Sequence, residues 1–451
     1  MNSNKYLLYS SILGQVATIV FTPFITRLET KAQIGIYSIF FASVAIYTLV
    51  GAFRIEMGFV ENSLSPKKEK QDLGSTSFLL AIITSLFCGL IVQFVYQDFI
   101  LTLLTCIGCI LTIYSLICTY WTLSEKDITN IVLFRFSKPI LIILFQFLFI
   151  LMDIDKGLII GYDLGILASL FFFRNKILQF RIPKSKIFIL KMKQNINFVK
   201  YSTPSDFFNS LGTQLPTFIF ERMFGIEYSA SYLYTQRIVI SPFALVSESL
   251  SKTLLQLYAL KKDFNFMVSQ MLIIQIKFYI AIFGAIILFD DLIVSLLFGD
   301  GWDEMKFLLL GSFFWVLSVF ISVPILSLLS ITKNQKKDLK FQITLFISRL
   351  LALLLGYYLD SFKLIFIIFC FASAMPYLFY MCKTLKTLSI NIDVRKWITK
   401  ENIINISILL ALIFILKSNI NLLLYYSVSG IFVFQQLYRT YKKFTKLNMD
   451  L

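Results

Sequence analysis

A chain of 451 residues in which 57% are hydrophobic and only 15% charged, with a mean hydropathy of +0.77, falls outside the balance of soluble domains and reads as an all-α polytopic membrane protein. Its formal net charge is +16, yet the bases fall in short segments between apolar runs and not on one face, which argues against nucleic acid as a partner. The chain contains no His, which excludes imidazole catalysis and removes the commonest metal ligand, so no catalytic residue, metal or cofactor is expected.

Lys5 precedes an apolar run too long for a cleavable leader and without an A-x-A site, so it is expected to stay as the first span. Measured against the roughly 20 residues a membrane helix needs, apolar runs follow at 6–26, 34–53, 74–96, 99–121, 131–152 and 157–173. Beyond a basic segment come 202–220, 229–251, 268–289, 307–331, 341–359 and 362–382, then 403–416 and 420–438. That is fourteen spans, or twelve with an interfacial tail if the short thirteenth run does not cross. Cys106 and Cys109 form a CxxC inside an apolar run, where a metal or redox site would need a second ligand pair that the sequence lacks; inert thiols are the alternative.

Residues 175–200 with the preceding Arg174 carry eight bases and no acid, and they separate two hydrophobic halves. Such a loop is retained on the cytoplasmic side, because Lys and Arg beside span ends resist translocation. With both termini inside, Lys67, Lys68, Lys70, Lys261, Lys262, Lys333, Lys336, Lys337, Lys340, Arg395 and Lys396 also fall inside, while acids such as Asp290, Asp291, Asp300, Asp303 and Glu304 gather outside. The expected organisation is an N-terminal lobe at 1–174, a basic loop at 175–200, a C-terminal lobe at 201–383 and an extension at 384–451 with two further spans.

Laying residues 5–44 on 200–239 without a gap aligns Lys5 with Lys200, Tyr6 with Tyr201, Ser10 with Ser205, Thr18 with Thr213, Thr22 with Thr217, Arg27 with Arg222 and Tyr37 with Tyr232. Ser11, Gln15, Thr18, Thr22 and Thr26 share one helical face, and their counterparts are Asp206, Ser210, Thr213, Thr217 and Glu221. Six spans separate the copies, so both start on the same side, as expected of parallel repeats about an axis along the membrane normal. The two stripes can line a water-filled cleft, or pack helix on helix through small polar groups.

Asp163, Asp206, Arg237, Glu248, Lys277 and Arg349 fall within spans, where a charge costs roughly 2.5–3.5 kcal/mol at mid-bilayer. Such groups face a hydrated interior or pair with one another. Arg237, Ser241 and Glu248 share a face by spacing, so an internal salt bridge and a ligand site are both open. Pro23, Pro139, Pro204, Pro216, Pro242, Pro324 and Pro376 lie in spans and suit helices that bend.

The opening SSILGQVATIVFTPFITRLETKAQIGIYSIFFASV, then FRIEMGF at 53–59, LGTQLPTFIFERMFG, SYLYTQRIVISPFALVSESLSK and LFGDGWDEMKFLLLGSFFWVLSVFISVPI resemble the Wzx-type polysaccharide-biosynthesis flippases, within the superfamily that holds the multidrug and toxic-compound (MATE) extruders. The resemblance implies two six-helix lobes, an alternating-access cleft, and an undecaprenyl-diphosphate-linked oligosaccharide moved across a bacterial inner membrane for O-antigen, capsule or exopolysaccharide assembly. It also implies membrane lipids, a polysaccharide polymerase and a chain-length regulator as partners. The cationic lumen of the family maps onto Arg27, Arg54, Arg237, Lys277 and Arg349, beside the stripe residues Gln15, Thr18, Asp206, Ser210 and Thr213 and the acid Glu248. A drug or cation extruder of the same fold is the alternative, and a membrane polysaccharide polymerase a third reading, disfavoured by the lack of His and of a large outer loop.

Overall fold

A computed structural model of the chain describes residues 2–61, 64–174, 183–260, 264–328, 335–388, 390, 429–436 and 438. The expected span 403–416, most of 420–438, and the bases Lys176, Arg181, Lys261, Lys262, Lys333, Arg395 and Lys396 lie outside the described residues. The described residues hold helices and no strands. They are α1 (Asn2–Leu28), α2 (Lys31–Val50), α3 (Lys67–Tyr96), α4 (Phe99–Ser124), α5 (Ile128–Leu151), α6 (Gly157–Ser169), α7 (Ser185–Gln194) and α8 (Thr203–Phe224). After these come α9 (Ile226–Thr235), α10 (Ser241–Leu260), α11 (Phe264–Leu288), α12 (Asp290–Leu297), α13 (Glu304–Gly311), α14 (Phe313–Leu326), α15 (Gln335–Leu359) and α16 (Phe362–Thr387).

Local sequence explains where several of these begin. The Thr30 side chain accepts from the Gln33 N–H at 3.2 Å to open α2, and Asp98 accepts from Leu101 N–H at 2.9 Å to open α4. Among the described residues ten helical stretches are long and apolar enough to cross a membrane. The α8 helix is not one of them although it is 22 residues long, because Ser205, Asp206, Asn209, Ser210, Thr213, Gln214 and Thr217 lower its hydropathy. Long side chains point outward as well: Phe94 is 85% exposed, and Leu86, Phe87 and Leu90 of the same helix are exposed too. In water this surface would be an aggregation hazard; hydrocarbon is the solvent it suits.

The helices form two compact units, one of residues 1–234 with 335–350, the other of 235–334 with 351–451. In the first, α5 and α6 pack most extensively, and the reason is visible in the sequence. Gly157, Gly161 and Gly165 recur every fourth residue, and a Cβ on Gly161 or Gly165 would lie 2.5 Å from Gln146 N or 2.4 Å from Ile142 Cα. Backbone therefore meets backbone along this face, the small-xxx-small packing that membrane helices use where no hydrophobic effect drives association. Gln146 reinforces the contact by donating to the Leu158 carbonyl at 2.8 Å. The second unit is centred on aromatic rings, with Tyr279 against Phe243, Phe283, Phe313 and Phe320. Such rings supply packing area and specific edge or offset geometry at once.

Candidate functional site

The polar groups of the first unit converge where α2 ends and α8 and α15 begin. Phe53 and Arg54 have φ of 52° and 57°, a left-handed pair that turns the chain sharply after α2. The turn brings Arg54 Nε within 2.6 Å of Asp206 Oδ2 near the start of α8, and Arg54 Nη1 within 3.7 Å of Glu56 Oε1. Glu56 is fully buried in the 3-10 turn Ile55–Met57, and its second oxygen has no hydrogen-bond partner. Burial pushes its carboxyl up to about 7, against the pull of the Arg54 charge. On the neighbouring face of α8, the Ser205 hydroxyl donates to Asp338 Oδ2 of α15 at 2.6 Å.

Further along α8, Ser210 donates to the Ala45 carbonyl of α2 at 3.2 Å, and Thr213 to the Asn209 carbonyl at 2.8 Å. The Thr213 hydroxyl also accepts from Arg349 Nη1 at 3.1 Å, and Arg349 is only 2% exposed. Arg54, Asp206, Ser210, Thr213 and Arg349, expected from sequence, are thus brought onto or against a single helix. Glu56 and Asp338 complete that array. The first lies inside the FRIEMGF stretch, and the second is a lone acid among Lys336, Lys337 and Lys340, which is the signal that could have marked it.

The stripe on α1 is arranged differently. Thr18, Thr22 and Thr26 each donate to the carbonyl four residues back, at 3.0 Å in every case, so these hydroxyls are satisfied within their own helix. Thr18 and its repeat mate Thr213 make the same local bond. Gln15 Oε1 is buried without a hydrogen-bond partner. At the far end of α1, Arg27 Nη1 donates to the Pro23 carbonyl at 3.1 Å. In the second unit Arg237 lies in a π-helical turn, Gln236–Ile240, that leads into α10. Glu248 pairs with Lys252 one turn on, at 2.7 Å, with both side chains exposed. Lys277 is buried within α11.

Sequence reading passed over two cations, Arg135 and Lys138, although both stand inside the apolar run 131–152. They occupy α5, with Arg135 Nη1 3.5 Å from the Ser11 hydroxyl of α1 and Lys138 Nζ 5.8 Å from the centre of the Phe134 ring. Asp163 on α6 is 4% exposed, and neither of its oxygens has a hydrogen-bond partner. It sits against Phe40 and Gly108, where α2 and α4 approach α6. Cys109 Sγ lies 4.0 Å from Cys88 Sγ, and both are free thiols. Among the described residues no cluster of three His, Cys, Asp or Glu could hold a metal ion.

This arrangement ties helix ends of the first unit together through an ion pair and side-chain hydrogen bonds. No protein-family model matches the chain, and no curated protein does. Solved structures do. A structure of the lipid II flippase MurJ, in an inward closed conformation, superposes with a TM-score of 0.68 at 14% identity, covering 98% of this chain and 98% of that one. An inward-facing multidrug-resistance MATE family transporter of the MOP superfamily gives 0.58 at 13% identity, over 85% of this chain and 94% of that one. A point mutant of the Vibrio cholerae MATE transporter VcmN gives 0.54 at 12% identity, over 88% and 97%. The chain therefore has the helical membrane-protein fold seen in the MATE family transporters and the lipid II flippase MurJ.

Proposed function

We propose that the protein is a flippase that moves polyprenyl-diphosphate-linked oligosaccharides from the inner to the outer leaflet of a bacterial plasma membrane by alternating access, feeding surface-polysaccharide assembly. The observation that carries this reading is the balance of charge within the spans. Arg135, Lys138, Arg237, Lys277 and Arg349 stand against Asp163, Asp206 and Glu248, so bases outnumber acids where every charge is costly. A diphosphate and acidic sugars return that cost, because guanidinium forks and ammonium groups bind phosphate oxygens directly. A cation extruder needs the opposite sign. The full-length likeness to a lipid II flippase supports the reading. In this scheme both termini and the basic loop are cytoplasmic, the polar faces of α1 and α8 border the substrate path, and Arg237 is a substrate-binding cation.

The test is transport by the purified chain in proteoliposomes. A fluorescent undecaprenyl-diphosphate oligosaccharide should become accessible on the opposite leaflet far faster than in protein-free vesicles. Arg237→Ala should abolish this, and Arg237→Lys, which keeps charge but loses the fork, should retain part of it. Export of a cationic dye with no movement of the lipid-linked sugar would establish the drug-extruder reading instead.

A further inference from the structure

Arg135 and Lys138 are three residues apart on α5 and so share one helical face, where like charges repel. At 1.5 Å per residue they lie about 10 and 15 Å along the helix from its first residue, well inside a hydrocarbon layer roughly 30 Å thick. Each would cost roughly 2.5–3.5 kcal/mol at mid-bilayer. An internal ion pair is the ordinary return for such a cost, and the first unit forms one elsewhere, between Arg54 and Asp206. Neither α5 cation has one: among the described residues no carboxylate stands within ion-pair distance of Arg135 or Lys138. Their contacts are a long hydrogen bond to Ser11 and a ring face.

The facing helix is built to match. Gly14 of α1 seats directly on α5, since a Cβ there would meet the Pro139 ring at 2.7 Å, so the two backbones are held close beside the cations. Ser11 and Gln15 lie on that side of α1 one turn apart, and Gln15 Oε1 is buried with no hydrogen-bond partner. Two cations thus stand where α1 and α5 pack, one of them against Ser11, with no acid among the described residues within ion-pair distance of either. A buried polar oxygen without a protein partner leaves acceptor capacity that a water or a ligand can fill.

We infer that Arg135 and Lys138, with Ser11 and Gln15 of α1, form a subsite for the diphosphate of the carrier lipid. This deepens the flippase reading and rests on it. Arg135 offers a planar fork of donors and Lys138 a mobile point charge, a pair that suits adjoining phosphate groups of high charge better than a single carboxylate. With α5 running outward from the cytoplasm, as proposed above, the subsite lies in the half of the helix that a headgroup from the inner leaflet reaches first.

Binding to the full chain in detergent tests this, with undecaprenyl diphosphate, undecaprenol, inorganic diphosphate and phosphatidylglycerol as probes. The double variant Arg135→Gln/Lys138→Gln should lose tenfold or more in affinity for undecaprenyl diphosphate and none for undecaprenol, and Arg135→Lys should fall between. Inorganic diphosphate should compete in the parent and not in the double variant. Because neutral glutamines relieve a repulsion, the double variant should elute as the parent does and melt no lower. Equal affinity of parent and double variant would overturn the subsite while leaving the flippase reading intact. Equal competition by phosphatidylglycerol would overturn its assignment to the carrier. If the parent binds no undecaprenyl diphosphate at all, the flippase reading fails together with the subsite.

Discussion

Replacing Glu56 by Gln should flatten the pH dependence of stability. The carboxyl is fully buried, one oxygen has no hydrogen-bond partner, and the nearest cation, Arg54, is already engaged by Asp206 at 2.6 Å. Burial raises its proton affinity from the ordinary 4.5 to about 7. Between those values the folded chain holds a proton that the unfolded chain has released, so stability falls as pH rises through this window. The contribution is complete below about 4.5 and lost above about 7. At 1.36 kcal/mol per pH unit, the difference between 4.5 and about 7 is on the order of 3 kcal/mol. Thermal unfolding of the purified chain in detergent at pH 5 and pH 8 reads this directly. Other titrating groups act on parent and variant alike, so the difference between the two pH dependences isolates Glu56. Glu56→Gln should melt above the parent at pH 8 and close to it at pH 5. Identical pH dependences would refute the reasoning, and a variant that melts below the parent at pH 8 would show that Arg54 holds Glu56 charged.

Two other substitutions probe the helix contacts. Gly161→Leu should push α6 away from the α5 backbone at Gln146, costing at least the ~1–3 kcal/mol typical of overpacking, and should lower the melting midpoint and the yield of monodisperse protein; Gly161→Ala should do so less. Asp163→Asn removes a charge and keeps the shape, and since neither carboxylate oxygen is hydrogen-bonded there is no bond to lose, so its midpoint should equal or exceed the parent's. A fall of about 3 kcal/mol or more would reveal a counter-ion for Asp163.

Helices were legible in the sequence because a membrane span needs only length and apolarity. The run 268–289 became α11 (Phe264–Leu288), and 362–382 became α16 (Phe362–Thr387), with ends that differ by a few residues. The bond that Thr18 and Thr213 each make four residues back is one that Thr48, Thr105 and Thr122 make as well, so it does not mark the repeat. Pairing was not legible. Arg54 and Asp206 were each marked as charges, yet that they form one ion pair depends on a left-handed turn at Phe53 and Arg54, residues with no glycine to announce it. Likewise Ser210 reads as one more hydroxyl on a polar stripe until α2 supplies the Ala45 carbonyl. Glu56 escaped notice because burial, not residue type, gives it its chemistry.

The charges of the first unit separate into two kinds by what surrounds them, and the separation bears on mechanism. Arg54, Asp206, Ser205 and Asp338 are bound to one another across α2, α8 and α15, so their energy is invested in the arrangement of helix ends. Ion pairs that are partly exposed, as Asp206 is, can be exchanged for water at modest cost. Arg135 and Lys138 have no acid to exchange among the described residues. On the subsite proposed above, they gain when an anion arrives, which lowers the occupied site in energy relative to the empty one. A ligand shifts a conformational equilibrium only through such differential affinity. On the proposed function, the cations without a carboxylate in the empty protein are the ones a substrate anion stabilises, while the paired ones hold helix ends of the first unit together. Mutating the unpaired cations should therefore change substrate affinity at constant stability, and mutating the paired residues should lower the melting midpoint.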